Sequence, residues 1–89
     1  MRAIITVIGQ DRIGIIARVT AILAECRVNV LDISQTILQE LFTMTMLTDL
    51  SAMEISLEEL STRLKEAGEE MGLSIRVQHE ELFRSMHRI

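Results

Sequence analysis

The sequence predicts an α+β domain in which one four-stranded antiparallel sheet carries two helices on one face. Three observations support this fold class. The hydrophobic pattern changes period along the chain in the order strand, helix, strand, strand, helix, strand. Both helical segments have a single apolar stripe, so each needs only one covered side. Three of the strand segments alternate apolar and polar residues, as strands with one solvated face do.

The first strand and the first helix meet at a loop bounded by glycines. Residues 3–8, AIITVI, are apolar on both faces apart from Thr6, and predict a strand with neighbours on both sides that ends at Gly9. One helical stripe then follows, made of Ile15, Ile16, Val19, Ile22, Leu23 and Cys26. No glycine closes this helix, so Asn29 is the expected left-handed or turn residue after it.

The middle of the chain predicts a β-hairpin. Residues 29–39 alternate, with one side formed by Leu31, Ile33, Gln35 and Ile37 and the other by Asp32, Ser34 and Thr36. Residues 40–50 alternate again, with Phe42, Met44 and Met46 on the apolar side. Only Gln39 and Glu40 separate the two runs, and they lack the Asn-Gly or Asp-Gly signal of a tight turn. The sequence therefore fixes the turn to within a residue or two.

The second helix carries its own start and stop signals. Ser56 and Glu59 form a capping box, and the apolar stripe continues through Leu57, Leu60, Leu64, Ala67 and Met71. Gly72 is the expected C-terminal cap. Gly68 lies inside the helix, where glycine costs ~1 kcal/mol relative to alanine and weakens the prediction for the last turn.

The last strand is predicted over residues 73–80, with Leu73, Ile75 and Val77 pointing inward. The tail, residues 81–89, is expected to form either a short amphipathic helix through Leu82, Phe83 and Met86 or a frayed end. Right-handed crossovers place the first and third strands in the middle of the sheet and leave the second and fourth at its edges. The result is a ferredoxin-like βαββαβ fold, a single domain over residues 1–89 with a core of about residues 2–80.

Composition excludes several classes of function. The net charge is −4 at pH 7, which disfavours nucleic acid and anionic membranes as partners. No apolar run approaches the ~18–20 residues of a membrane span, and no cleavage site for a signal peptide follows the N-terminal residues. With Cys26 as the single cysteine, we expect a cytoplasmic protein. His79, His87 and Cys26 share no metal-ligand spacing, so the sequence predicts no metal site, and no cofactor motif is present.

The loop GQDRIG, residues 9–14, resembles a phosphate-binding motif only in part. A P-loop requires a lysine after its second glycine, where this chain has Ile15. A dinucleotide fingerprint requires a third glycine. The first N–H groups of the following helix still lack partners and attract a carboxylate or another anion, and Gly14 lets a ligand approach the backbone. Alternatively, Asp11 caps the helix and Arg12 is a solvated charge, and the amide of Asn29 serves either a ligand or the turn.

At these residues the chain resembles the ACT domain, a small-molecule-binding regulatory module. The resemblance runs from about Arg2 to Asp49 and more loosely to Glu80, through GQDRIGI, VNVLDISQ and LFTMTM. It is strongest to short stand-alone ACT proteins and to the ACT modules of the glycine-cleavage transcriptional regulator and of formyltetrahydrofolate deformylase. The family often has proline before the second glycine of the loop, where this chain has Ile13.

The resemblance implies a non-catalytic protein that binds an amino acid between two copies of the chain. Such domains commonly pair through the second strand and the first helix, and the ligand lies at that seam. The residues implied as ligand-binding are Gly9, Gln10, Asp11, Arg12, Ile13, Gly14, Ile15 and Asn29. Asp11 or Asn29 would take the ligand ammonium group, and the N–H groups near Gly14 and Ile15 its carboxylate. The alternative is a ligand-free dimerisation domain.

The second strand predicts the same homodimer without the resemblance. It is a long edge with exposed apolar positions and neither proline nor lysine to block pairing, so a second copy is the expected cover. Two rivals share the strand order. RNA-recognition domains need several aromatic residues and basic charge, which this chain lacks. Acylphosphatases pair an arginine with an asparagine, as Arg12 and Asn29 would, but their longer loop is missing.

Overall fold

The computed structural model describes residues 1–86 and has the predicted ferredoxin-like architecture. The elements are β1 (Arg2–Gln10), α1 (Ile15–Glu25), β2 (Asn29–Leu38), β3 (Leu41–Asp49), α2 (Leu57–Met71), β4 (Leu73–His79) and α3 (Glu80–Met86). All neighbouring strands are antiparallel, in the order β2-β3-β1-β4. The prediction that the second and fourth strands form the edges is therefore confirmed.

The core lies between one face of the sheet and the helices α1 and α2. Alternate residues of β1 and β3 point into it, and Ile5 pairs with Met46 on one side and with Val77 on the other. The residues of the core with at most 1% exposure include Ile5, Val7, Val19, Leu23, Met44, Met46, Leu60 and Leu64. Cys26 is also buried, which confirms its predicted place in the helix stripe.

Gly9 does not end β1, contrary to the sequence-based prediction. The strand continues to Gln10, and Gly9 pairs with Phe42 on β3 and with Leu73 on β4. A Cβ atom at Gly9 would lie 2.5 Å from Leu73 Cδ2 and 3.2 Å from Leu73 Cα. The glycine therefore allows β4 to approach β1 closely, and its place in the sequence reflects packing rather than a strand end.

The left-handed residue after α1 is Arg27, not Asn29. Arg27 has φ 61°, its N–H donates to Ala24 O at 3.1 Å, and the Val28 N–H donates to Leu23 O at 2.9 Å. These two hydrogen bonds form a Schellman motif, which satisfies the last carbonyls of the helix. Asn29 follows as the first residue of β2 and pairs with Asp49.

β2 is a bulged edge strand. Its pairing shifts between Val30 and Asp32, so Leu31 has no place in the ladder and the expected strict alternation is broken there. From residue 33 onwards the prediction is confirmed, because Ile33, Gln35 and Ile37 pair with the core-facing residues of β3. The turn lies at Gln39 and Glu40, as predicted.

α2 begins and ends where the sequence places its caps. The Ser56 Oγ accepts from the Glu59 N–H at 3.0 Å, and Gly72 closes the helix with φ 71°. The Glu59 carboxylate accepts from Arg63 at 2.9 Å, one turn further along, so only half of the capping box forms among the described contacts. Gly68 is buried, and the helix continues unbroken past it to Met71.

α3 begins directly after β4 and is attached to β1 by charge. Glu80 accepts from Arg2 Nε at 3.1 Å and from Arg84 at 3.1 Å. The hydrogen bond from Arg2 is the main cause that lowers the pKa of Glu80 to about 2. Leu82 is 54% exposed, so it does not belong to a buried stripe. The Met86 side chain and residues 87–89, including His87, lie outside the described residues. In residues 1–86 no helix combines the length and the hydropathy needed to cross a membrane.

Candidate functional site

The loop between β1 and α1 is fixed from two sides. On one side the Asp11 N–H donates to Glu40 O at 2.7 Å, which ties the loop to the turn between β2 and β3. On the other side Arg12 Nη1 donates to Met71 O at 3.3 Å, at the C-terminal end of α2. A carbonyl at a helix C-terminus carries partial negative charge, so the arginine contact is electrostatically favourable. These contacts hold in place the residues that begin α1.

The N-terminus of α1 has no side-chain cap. Gly14 is the N-cap residue with φ 93°, a conformation that strongly favours glycine, and Asp11 does not cap the helix. The first intrahelical hydrogen bond runs from the Arg18 N–H to Gly14 O at 2.9 Å. The N–H groups of the three preceding residues, 15–17, therefore have no partner within the helix. The first turn also has no acidic side chain. The helix end thus carries uncompensated partial positive charge.

Two shallow cavities flank the loop. The first, of about 260 Å³, lies at the N-terminus of α1 and is lined by Asp11, Arg12, Gly14, Ile15, Ile16, Ala17, Gln35, Ile37 and Phe42. The second, of about 310 Å³, lies on the other side of the loop and is lined by Gln10, Asp11, Arg12, Met71 and Gly72. A larger cleft of about 480 Å³ between α2 and β4 lies away from the loop. The first cavity combines the free N–H groups with apolar and amide side chains, as a site for a small polar molecule requires.

The seven sequence-predicted site residues of the loop lie in different environments. Gln10, Asp11, Arg12 and Gly14 line one or both of the cavities beside the loop. Ile15 lines the first cavity but is 2% exposed and belongs to the core, while Ile13 is fully exposed. Gly9 lies within the sheet.

Asn29 is not brought to the loop within one chain. It begins β2, beyond the opposite end of α1, and a helix of 11 residues is ~16 Å long. One small ligand cannot contact both Asn29 and the loop of the same chain. The arginine and asparagine of the acylphosphatase alternative are separated in the same way, and Arg12 already contacts Met71 O.

Sequence reasoning missed the contribution of β2 to the first cavity. Gln35 and Ile37 line it from the edge strand, together with Ile16 and Ala17 from the first turn of α1. Gln35 is the one polar residue on a side of β2 that otherwise carries Ile33 and Ile37. This interruption of the apolar alternation is the signal that could have identified it.

An exposed apolar band borders the same cavity. Ile33 and Ile37 of β2 are 44% and 51% exposed, and Ile16 of α1 is 38% exposed. Leu31, at the bulge, extends the band along β2 with 45% exposure. Because β2 is an edge strand, its outer backbone groups are not paired with another strand of the described sheet. Band and edge together form a surface that another strand could cover.

Comparisons with known proteins agree with the fold. A family model of the ACT domain matches residues 2–78. The chain is 57% identical to a UPF0237 protein of Clostridium acetobutylicum over 89 residues, which cover the whole of both chains. It is 37% identical to the solved ACT domain protein from Streptococcus pneumoniae, with a TM-score of 0.81 and 93% of each chain covered.

More distant structures share the fold within longer chains. A formyltetrahydrofolate deformylase from Pseudomonas putida superposes with a TM-score of 0.80 at 17% identity, and the match covers 89% of this chain and 29% of that one. A protein assigned as a glycine cleavage system transcriptional repressor gives a TM-score of 0.73 at 24% identity, over 89% of this chain and 47% of that one. The sequence resemblance to both kinds of module is confirmed at the level of the fold.

Proposed function

Because the chain belongs to the ACT-domain family, we propose that it is a non-catalytic regulatory module that binds a small amino-acid-like ligand as a homodimer. One observation carries the proposal. The N-terminus of α1 is uncapped, its first turn has no acidic side chain, and it opens into a cavity of about 260 Å³. Free N–H groups at a helix N-terminus bind carboxylates, helped by the helix dipole. The carboxylate of an amino acid fits this position in size and charge.

The ammonium group of the ligand has two candidate partners. Asp11 lines the cavity, is exposed, and among residues 1–86 its carboxylate has no hydrogen-bonding partner. Asn29 lies too far away within one chain, but a second copy can supply it. A two-fold pairing along the edges of β2 is antiparallel, so it brings Asn29 of the second copy towards Ile37 and the cavity of the first. The proposed dimer therefore completes the site.

Regulation follows from a ligand that contacts both chains. Such a ligand favours the relative orientation in which both sets of contacts form, by the difference in its affinity for the two orientations. A partner protein that recognises one orientation would respond to the concentration of the ligand. No chemical step is needed for this function.

A thermal-shift screen of the twenty amino acids tests the proposal. We expect one or a few amino acids to raise the melting temperature in a concentration-dependent manner. The corresponding amino-acid amides, which lack the carboxylate, should give no shift.

The matched variants are Ala17→Asp and Ala17→Asn, at an exposed position in the first turn of α1. Aspartate there interacts favourably with the helix dipole by about 0.5 kcal/mol, so the fold persists, but its charge repels the ligand carboxylate. Ala17→Asp should therefore lose the ligand response, and Ala17→Asn should retain most of it. If the wild-type protein is dimeric and no amino acid shifts its melting temperature, the ligand-free assembly function replaces this proposal.

A further inference from the structure

The outer edge of β4 borders a cleft of about 480 Å³, which lies between this strand and α2. β4 has one neighbour in the described sheet, β1, so alternate N–H and C=O groups on its other side have no partner strand there. Five consecutive residues, 73–77, line the cleft, although successive side chains of a strand point to opposite faces of the sheet. The backbone at the strand edge therefore forms part of the lining.

The opposite wall of the cleft is one row of α2. Ser61, Lys65 and Glu69 are spaced four residues apart, so their side chains follow one another along the helix surface. This row is ~12 Å long, and five residues of a strand are ~17 Å long. The cleft is therefore an elongated groove beside a strand edge, with room for an extended segment of roughly four or five residues.

Two unpaired cations flank this groove. Among residues 1–86, the lysines and arginines without a hydrogen bond or an ion pair are Arg27, Lys65 and Arg76. Lys65 belongs to the row on α2. Arg76 pairs with Thr6, so its side chain lies on the face of the sheet opposite the helices. Lys65 and Arg76 thus lie on opposite sides of the same strand edge, in a chain whose net charge is −4.

We propose that an extended acidic segment of a partner protein docks in this groove and pairs with β4 as an additional strand. The inference rests on the proposed function, because it names the kind of partner that a regulatory module would act on. Main-chain hydrogen bonds along the edge supply affinity, and contacts of the side chains with the groove supply specificity. Because the side chains of a strand alternate between the two faces, one acidic residue meets Arg76 and another, on the other face, meets Lys65.

The charges of the groove select this occupant. A basic segment is repelled from both sides of the edge. A second copy of β4 brings its own Arg76 to the edge, and like charges across paired strands are destabilising. Glu69 is the one acidic residue among the described lining, and it lies one turn of α2 from Lys65, towards Gly72. The acidic residues of the segment therefore lie at the Lys65 end of the groove.

A phage-displayed library of random short peptides, selected on the wild-type protein held by an N-terminal affinity tag, tests the inference. We expect the enriched peptides to be acidic, and fluorescence anisotropy with synthetic copies measures their affinity. Lys65→Glu and Arg76→Glu each reverse one exposed charge without removing a described hydrogen bond, and each should weaken binding by about tenfold or more. Arg27→Glu makes the same change away from the groove and should bind like the wild type. Circular dichroism confirms that each variant is folded.

N-methylated peptides test the strand pairing itself. Methylation of every second peptide nitrogen removes the donors on one edge of the extended peptide. Of the two alternating sets, the one that faces β4 should abolish binding and the other should leave it nearly unchanged. Equal effects of the two sets overturn the pairing. A selection that enriches no peptide, or only peptides without acidic residues, overturns the inference, and so do acidic peptides that bind all three charge variants as well as the wild type.

The outcomes separate this inference from the proposed function. Arg76→Glu should keep the amino-acid response, whereas Ala17→Asp should lose it and still bind the peptide. Peptide binding in the groove without any amino-acid response keeps the docking surface and overturns the sensing function. An amino-acid response without peptide binding does the reverse. An assembly of the wild-type protein alone that Arg76→Glu dissociates assigns the groove to a second copy and overturns the inference.

Discussion

Two glycines bring β1, α2 and the start of β4 into close contact. A Cβ atom on Gly9 would lie 2.5 Å from Leu73 Cδ2, and a Cβ atom on Gly68 would lie 2.8 Å from Leu73 O. Both glycines therefore pack against Leu73 of β4, Gly9 from the neighbouring strand β1 and Gly68 from α2. These glycines set how closely the helix and the central strand approach the edge strand, and neither has a positive φ that would require glycine.

Gly68→Ala tests whether close packing outweighs helix propensity. Alanine is favoured over glycine inside a helix by ~1 kcal/mol, but here its methyl group would press on a backbone carbonyl and on Ile75 Cγ1 at 3.1 Å. Overpacking of this kind costs ~1–3 kcal/mol. After the ~1 kcal/mol gain in helix propensity is subtracted, we expect a net loss of about 1 kcal/mol in the free energy of unfolding, and at most about 2 kcal/mol. Urea denaturation measures it. Thr62→Ala, at an exposed position of the same helix, should be neutral or slightly stabilising. A Gly68→Ala variant as stable as the wild type would contradict the packing argument.

The sequence predicted the position of the loop in the candidate site but not the long-range contacts that surround it. The spacing of Gly9 and Gly14 identified the loop, because an uncapped helix start after a strand has a recognisable pattern. It did not indicate that Arg12 donates to Met71 O, since that contact joins residues 59 positions apart. Gln35 was missed for the same reason, as its role depends on the position of α1 over β2.

At the scale of elements, one carboxylate joins α3 to β1. Glu80 accepts from Arg2 on β1 and from Arg84 one turn along α3, and its side chain is 16% exposed. These hydrogen bonds lower the pKa of Glu80 to about 2. A carboxyl group whose pKa is lower in the folded state stabilises the fold above its unfolded pKa of about 4.5. This contribution disappears as the pH falls towards 2.

Glu80→Gln should therefore reduce stability at neutral pH and have little effect in strong acid. We expect the difference in the free energy of unfolding between wild type and variant to be constant above about pH 5 and to shrink towards zero near pH 2. Urea denaturation across this range measures the difference directly. The contributions of other titrating groups, such as Asp49, are present in both proteins and cancel in the difference. Glu81→Gln removes the same charge from the neighbouring residue of α3 and should not reproduce the effect. A wild-type advantage that persists at pH 2 would refute the role of Glu80.

Element order and type were predictable because hydrophobic period depends on local sequence. The start of α1, the caps of α2 and the two-residue hairpin turn all agree with the sequence pattern. The departures are local backbone features without a side-chain signature. Arg27 takes the left-handed conformation although a more permissive asparagine lies two residues later, and the bulge at Leu31 breaks an alternation that looks regular in the sequence.

At the scale of the whole molecule, the two edges of the sheet differ in how they are protected. β4 carries Arg76 in its middle and is followed directly by α3. β2 has ten residues, no lysine, arginine or proline, and an exposed apolar band on its core-facing side. A charge on an edge strand discourages pairing with another sheet. The one charged residue of β2, Asp32, lies beside the bulge, and residues 33–38 carry no charge, so this part of β2 is the edge at which pairing is expected.

Pairing through β2 makes stability depend on protein concentration. When a dimer dissociates as it unfolds, its melting temperature rises with the protein concentration, by mass action. Ile33→Lys places a charge in the band where the side chain is 44% exposed in the single chain, so the variant fold should tolerate it. We expect the melting temperature of the wild type to rise over a hundredfold increase in concentration, and that of Ile33→Lys to stay constant. Leu82 is also apolar and is 54% exposed on α3, so Leu82→Lys is the matched control and should behave like the wild type.

Because the proposed site is completed by Asn29 of a second copy, Ile33→Lys should also lose the amino-acid response. A variant that still binds as a monomer would place the whole site within one chain.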